Sequence, residues 1–150
     1  YMSTNGIEGL QIEELRATLT SFLGATYCLL AALLLILARW MQAALYNPGG
    51  FRLEFHSLRI GSKTALLLVG FMLAANFGLL PPSWGIYSTV PLLFSGAALV
   101  HGVVGIKKLP SAVLAVFYAV MLLPVVMQGV VLLALMDSWY DFRSRLASKT

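Results

Sequence analysis

The sequence predicts an all-α fold, a polytopic transmembrane bundle of four spans with an amphipathic interfacial helix between spans one and two. Three observations lead there. Of the 150 residues, 59% are hydrophobic and 11% charged, against about 25% charged in an average soluble domain. The charges are also segregated: residues 17–38, 64–106 and 109–136 contain no Asp, Glu, Lys or Arg. Uncharged runs of that length match the roughly 20 apolar residues a helix needs to cross a bilayer core of about 30 Å. A mean hydropathy of +0.86 is the third. The chain reads as a single membrane domain with spans at about 18–46, 64–80, 85–106 and 111–136.

Span one belongs to a long helix from about Ile12 to Tyr46. Arg39 and Trp40 sit where a snorkelling cation and an interfacial aromatic mark the edge of the hydrocarbon. Arg39, Gln42 and Tyr46, at i, i+3 and i+7, form one polar face at its end. Asn47-Pro48-Gly49-Gly50 then reads as a turn, in which Pro presets φ at the second position and Gly accepts positive φ at the third.

Beyond the turn, Phe51, Phe55 and Leu58 share a helical face, and Arg52, His56 and Arg59 form a stripe about 100° away. Such an amphipathic helix suits the headgroup region, its basic stripe touching lipid phosphates. The alternative, less favoured, is that it caps a cavity or docks a partner protein.

The 64–106 run is too long for one helix. Leu80-Pro81-Pro82-Ser83-Trp84-Gly85 divides it into spans two and three, because Pro removes a backbone donor and the residue before Pro resists the α conformation. Gly70, Ala74 and Gly78 recur every four residues on span two, and Ala98 and Gly102 do so on span three. These small residues predict close packing of the two.

The fourth run is harder to place. A straight helix over 111–136 would be about 39 Å long, more than one crossing needs and less than two require. Tilt or a kink at Pro124 is the cheaper resolution. A re-entrant hairpin broken at Pro124 would need its exposed backbone buried in protein.

In the tail, Asp141 and Arg145 are an i, i+4 pair and Trp139, Phe142 and Leu146 an apolar anchoring face. With a single crossing by span four, Asp137 and Arg39 lie on opposite faces of the membrane. Arg39, Arg52, Arg59, Lys63, Lys107 and Lys108 then flank the spans on one side, and Arg16, Arg143, Arg145 and Lys149 on the other. The excess places the 39–63 loop in the cytoplasm.

Several chemistries are excluded or disfavoured. One cysteine, Cys28, cannot form an intrachain disulfide, and thiol oxidoreductases need a pair. Ser95 and His101 invite comparison with intramembrane serine proteases, but six residues turn a helix through about 600° and leave the two side chains about 120° apart. No carboxylate lies inside an apolar run to serve a proton-coupled exporter. One Cys and two His make no metal site, and no Gly-rich phosphate loop follows a strand.

His101, an ionisable group within span three, is a candidate by virtue of its depth. Asn76 and Gln128 read as inter-helix hydrogen-bonding groups. Residues 2–17 carry Glu8, Glu13 and Glu14 and no basic n-region, so no signal peptide is expected. Tyr1 before Met2 is not a native start.

The residues Ala38-Arg39-Trp40-Met41-Gln42, Tyr46-Asn47-Pro48-Gly49-Gly50-Phe51, Glu54-Phe55 and Leu58-Arg59, with Asp137-Ser138-Trp139 and Asp141-Phe142-Arg143, resemble the YybS-like family of bacterial multi-spanning membrane proteins. The likeness runs from about Leu37 to Leu146. Members are longer, with further helices upstream, so the chain is similar to a C-terminal half and is expected to be a fragment of a longer protein. The family is distantly similar to the substrate-binding S-components of energy-coupling transporters and to the cell-shape membrane protein MreD. That kinship implies a helical membrane bundle and transfers no substrate.

The expectation is a non-enzymatic protein of the bacterial inner membrane, multi-pass, binding a small molecule or a partner through Arg39, Gln42, Tyr46, Asn47, Arg52, His56, Arg59 and His101. Under a transport role, a cavity lined by Tyr27, Asn76, His101 or Gln128 is expected. Under a scaffold role, the basic 47–59 loop carries the contacts. No catalytic residue, cofactor, metal or nucleic-acid partner is expected; the expected partners are the bilayer and a small molecule or membrane protein.

Overall fold

A computed structural model describes the backbone of residues 2–148 and the side chains of residues 12–148; Lys149, counted above with the tail, lies outside the described residues. Seven helices follow in order: α1 Met2–Tyr46, α2 Gly50–Ser57, α3 Ser62–Asn76, α4 Ile86–Ile106, α5 Ala112–Met121, α6 Pro124–Tyr140 and α7 Phe142–Ala147, with a 3₁₀ turn Pro82–Gly85 before α4. No strand occurs among the described residues. Helix is what the composition dictates, since a backbone in lipid must satisfy its own hydrogen bonds.

The two predicted turns are present. Gly50 N–H donates to Asn47 O at 3.0 Å, and Gly49 has φ +89°, the conformation of a type II turn. After α3, Leu79 and Leu80 N–H both return to Ala74 O, and Trp84 N–H donates to Pro81 O at 2.9 Å, closing the hairpin that Pro81 and Pro82 predict. Helix α3 ends at Asn76, short of the expected 64–80 span.

By length and composition two helical stretches, Ile12–Tyr46 and Pro82–Ile106, can cross a membrane, rising to four if each of two bent pairs is one span. Helices α2 and α3 meet at 57°, and α5 and α6 at 113°. The second angle breaks the fourth run at Pro124, where a kink or a re-entrant turn is expected, and either a broken span or a re-entrant pair fits it. Its local chemistry explains how. Leu123 is extended, with ψ 126°, as a residue before Pro prefers. Pro124 opens α6 at the position where a missing N–H costs nothing. Val126 and Met127 N–H share the Leu123 carbonyl.

The break redirects α6 alongside α4. Leu93 and Met127 line one cavity, Gly96 lies against Val130, and Gly102 lies against Arg143. Residue numbers rise together along both helices, so α6 runs parallel to α4 and ends beside α2. The expectation that the tail emerges opposite the 47–61 link is therefore wrong for this fold.

The tight interface also differs from the one expected. A Cβ on Gly96 would stand 2.7 Å from the Val130 carbonyl oxygen, whereas Gly70 has nothing within 4 Å. Gly78, with φ +74°, belongs to the turn after α3. Small residues thus bring α4 onto α6 rather than pairing spans two and three through the Gly70 stripe. Leu92, Val131 and Ala134 form the buried core there, with Ile60, Leu68 and Met72 packed around them. Much of α1 stays open, with Phe22, Leu34 and Leu35 exposed.

Candidate functional site

The basic end of the bundle is built on three connections. The first ties α2 to α1. Arg39 Nε donates to Glu54 Oε2 at 2.7 Å and a second guanidinium nitrogen reaches Glu54 Oε1, while Nη1 donates to Gln42 Oε1 at 2.8 Å. This bonding holds the Glu54 carboxyl below the usual carboxylate range. Arg39 and Gln42, expected as ligand contacts, are thus engaged in bracketing α2. Tyr46 points outward, 83% exposed, and the Asn47 side chain folds against Gly50 in the turn.

The second connection lays α2 on α4. Phe51 and Phe55 stack at 5.7 Å between ring centroids, as their shared face predicts, and Phe55 meets the His101 ring edge-on at 5.2 Å. The His56 ring covers Gly105 so closely that a Cβ there would lie 2.7 Å from Cε1. Burial first, then the Arg52 and Arg143 charges, push the His56 pKa below the ordinary histidine value. His101 Nε2 and the Tyr118 hydroxyl are 2.9 Å apart, joining α4 to α5.

The third connection is a clasp formed by the C-terminal segment, and it is what sequence reasoning missed. Asp141 adopts a left-handed conformation, φ 45° and ψ 66°, which Asp tolerates better than most residues. It ends α6 and begins α7, accepting a hydrogen bond from Ser144 N–H. That reversal swings Arg143 back onto Asp137. Arg143 Nη2 donates to Asp137 Oδ2 at 2.8 Å and to Leu58 O at 3.0 Å, and Nη1 donates to His56 O at 2.5 Å.

Asp137 is fully buried and takes a further bond from Phe142 N–H at 2.9 Å. Arg143 thereby caps carbonyls at the end of α2 that lack helical partners. Arg59 completes the clasp: Nη1 donates to Asp141 Oδ2 at 2.5 Å and Nη2 to Ser138 O at 3.1 Å. Ser62 Oγ donates to that same Ser138 carbonyl at 2.6 Å.

Two sequence expectations are corrected here. Helix α2 ends at Ser57 and Leu58 is extended, so Arg59 does not continue the Arg52–His56 stripe but reaches across to Asp141. Asp141 in turn pairs with Arg59 rather than with Arg145, whose guanidinium lies 5.3 Å over the Tyr140 ring. Of the residues expected to line a transport cavity, Tyr27, Asn76 and Gln128 are exposed.

What does converge is a pocket of about 400 Å³ between α2, α4 and α7, with His56, Arg59, Asp141 and Arg143 in its wall alongside Gly102 and Ile106. The buried Arg59 Nε has no hydrogen-bond partner, although buried donors are rarely left unpaired. No group of three or more His, Cys, Asp or Glu that could hold a metal occurs among the described residues. The chemistry on offer is hydrogen bonding and charge. Of the expected site residues, His56 and Arg59 meet here, while Arg39, Gln42, Tyr46, Asn47, Arg52 and His101 are not in its wall. An Asp and an Arg six residues apart carry no signal on a continuous helix, so only the break at Asp141 makes the clasp visible.

Comparison with protein-family models, curated proteins and solved structures finds no match to this chain. Fold and composition give the class, an all-helical chain with helices long and apolar enough to cross a membrane.

Proposed function

We propose that this chain is a non-enzymatic, multi-pass protein of the bacterial inner membrane that binds a small polar molecule bearing a carboxylate or phosphate at its cytoplasmic end. The observation that carries the reading is the pocket walled by His56, Arg59, Asp141 and Arg143. Its volume of about 400 Å³ falls in the usual range for small-molecule sites. Asp141 and Ser138 hold the Arg59 guanidinium in place. Ordering the donor in advance lowers the entropy cost of binding.

The proposed topology is three crossings by α1, α3 and α4, followed by a re-entrant α5–α6 pair. It gathers Arg39, Arg52, Arg59, Lys63, Lys107, Lys108, Arg143 and Arg145 at one end and leaves Arg16 at the other, a far stronger inside signal than the sequence count. We also propose membership of the YybS-like family and a transport-related role, on the motif residues alone. Scaffolding is the second reading, favoured by the exposed Trp40, Leu45, Tyr46 and Leu53 around the same end.

Thermal unfolding in nanodiscs tests the pocket, titrating inorganic phosphate, glycerol phosphate, succinate and glutamate in turn. At least one should stabilise saturably, by about 2.7 kcal/mol at a hundredfold excess over its Kd. Arg59→Gln should abolish the effect and Arg52→Gln largely preserve it. If none of the four stabilises the wild type, the pocket reading fails and the scaffold reading stands.

A further inference from the structure

On the opposite side of α7 from that pocket lies a second recess. Arg143 and Ala147 face the polar pocket, whereas Phe142, Arg145 and Leu146 face an apolar slot of about 490 Å³ against α4 and α5, walled also by Leu99, Val103 and Val113. The slot exists because α5 diverges from α6 at 113°, leaving the α4 surface uncovered between them. Along α4 it extends from Leu99 to Val104, about 8 Å at 1.5 Å per residue.

We infer that this slot holds an acyl chain of an anionic phospholipid, with the lipid phosphate at Arg145 and the Lys107–Lys108 turn. Apolar walls select a hydrocarbon chain, and the mouth supplies the charge. Arg145 is the one charged residue in the wall. Its i−4 neighbour Asp141 is committed to Arg59, and its guanidinium rests on the Tyr140 ring, which orients the cation without neutralising it. Leu109 lines the same slot, and the exposed Lys107 and Lys108 immediately precede it in the turn after α4.

Three cations above an apolar recess between helices match the pattern by which anionic lipid headgroups are recognised. Free phosphate would leave the apolar walls unfilled. The inference rests on the membrane placement proposed above and not on the polar pocket.

Native mass spectrometry of the full chain released from nanodiscs of equimolar phosphatidylglycerol and phosphatidylcholine tests it. The wild type should retain phosphatidylglycerol about tenfold over phosphatidylcholine. Arg145→Gln combined with Lys107→Gln and Lys108→Gln should remove the preference, and Val103→Trp, which fills the slot, should remove retention of both lipids. If Val103→Trp fails to fold, Val113→Phe from the α5 side provides the same block. Arg16→Gln, which removes an exposed charge remote from this slot, should leave retention unchanged. Equal retention of the two lipids by the wild type, undiminished retention in the slot-filling variant, or equal capture of glycerol phosphate without a chain would each overturn the inference.

Discussion

Asp137 closes an uncharged run of the sequence and ends fully buried, so at the residue scale the question is what offsets its desolvation. Arg143 and the Phe142 N–H do so, and removing one partner of such a buried pair strands the other. Asp137→Ala is expected to destabilise the fold by about 3 to 5 kcal/mol, read as a shifted midpoint in denaturant titration in mixed micelles. Arg39→Ala breaks a half-exposed pair with Glu54 and should move that midpoint little, since solvent screens such pairs. Sequence reasoning singled out both residues as charges at the borders of apolar runs. It could not rank them, because burial of one and exposure of the other depend on where α6 ends.

At the scale of elements, small-residue spacing was legible while the pairing of faces was not. Gly70, Ala74 and Gly78 fit the pattern for close helix packing, yet Gly70 is open and Gly96 carries the contact. Gly96→Val should cost about 1 to 3 kcal/mol by overpacking against Val130, whereas Gly70→Ala should be neutral or stabilise by up to about 1 kcal/mol through helix propensity. Thermal unfolding of the two variants in one lipid composition makes the comparison, and the reverse order would restore the interface between α3 and α4 as the tight one. Turns were predicted more accurately than interfaces. Asn47 to Gly50 and the Pro81-Pro82 hairpin are fixed by local backbone sterics, which a few consecutive residues fully specify.

At the scale of the whole molecule, the 113° break at Leu123–Pro124 decides which end carries the tail. In a Cys28→Ala background, Ser57→Cys and Ser148→Cys should react with an impermeant thiol reagent from the same side of the membrane, and Ser83→Cys from the other. Labelling of positions 57 and 148 from opposite sides would reinstate a fourth crossing. Pro124 was recognised as the place where the fourth run could break, but a kink and a reversal share one sequence signature. The choice falls to contacts α6 makes far away in sequence, with Gly96 and, through the clasp, with the carbonyls of His56 and Leu58.

By itself the sequence determined the helical class, the apolar stretches fit for a bilayer, the two tight turns and the basic character of the 47–59 segment. These are local consequences of hydrophobicity and backbone sterics, complete within a few turns of chain. Tertiary structure alone decided that Arg59 meets Asp141, that Arg143 clasps Asp137 and the end of α2, and that the basic tail joins the basic loop around one pocket. The bonds of Arg59 to Asp141 and of Arg143 to the end of α2 join residues 82 to 87 positions apart. They depend on a left-handed Asp141 and a broken α5–α6 pair, neither of which any local pattern of charge or hydrophobicity specifies.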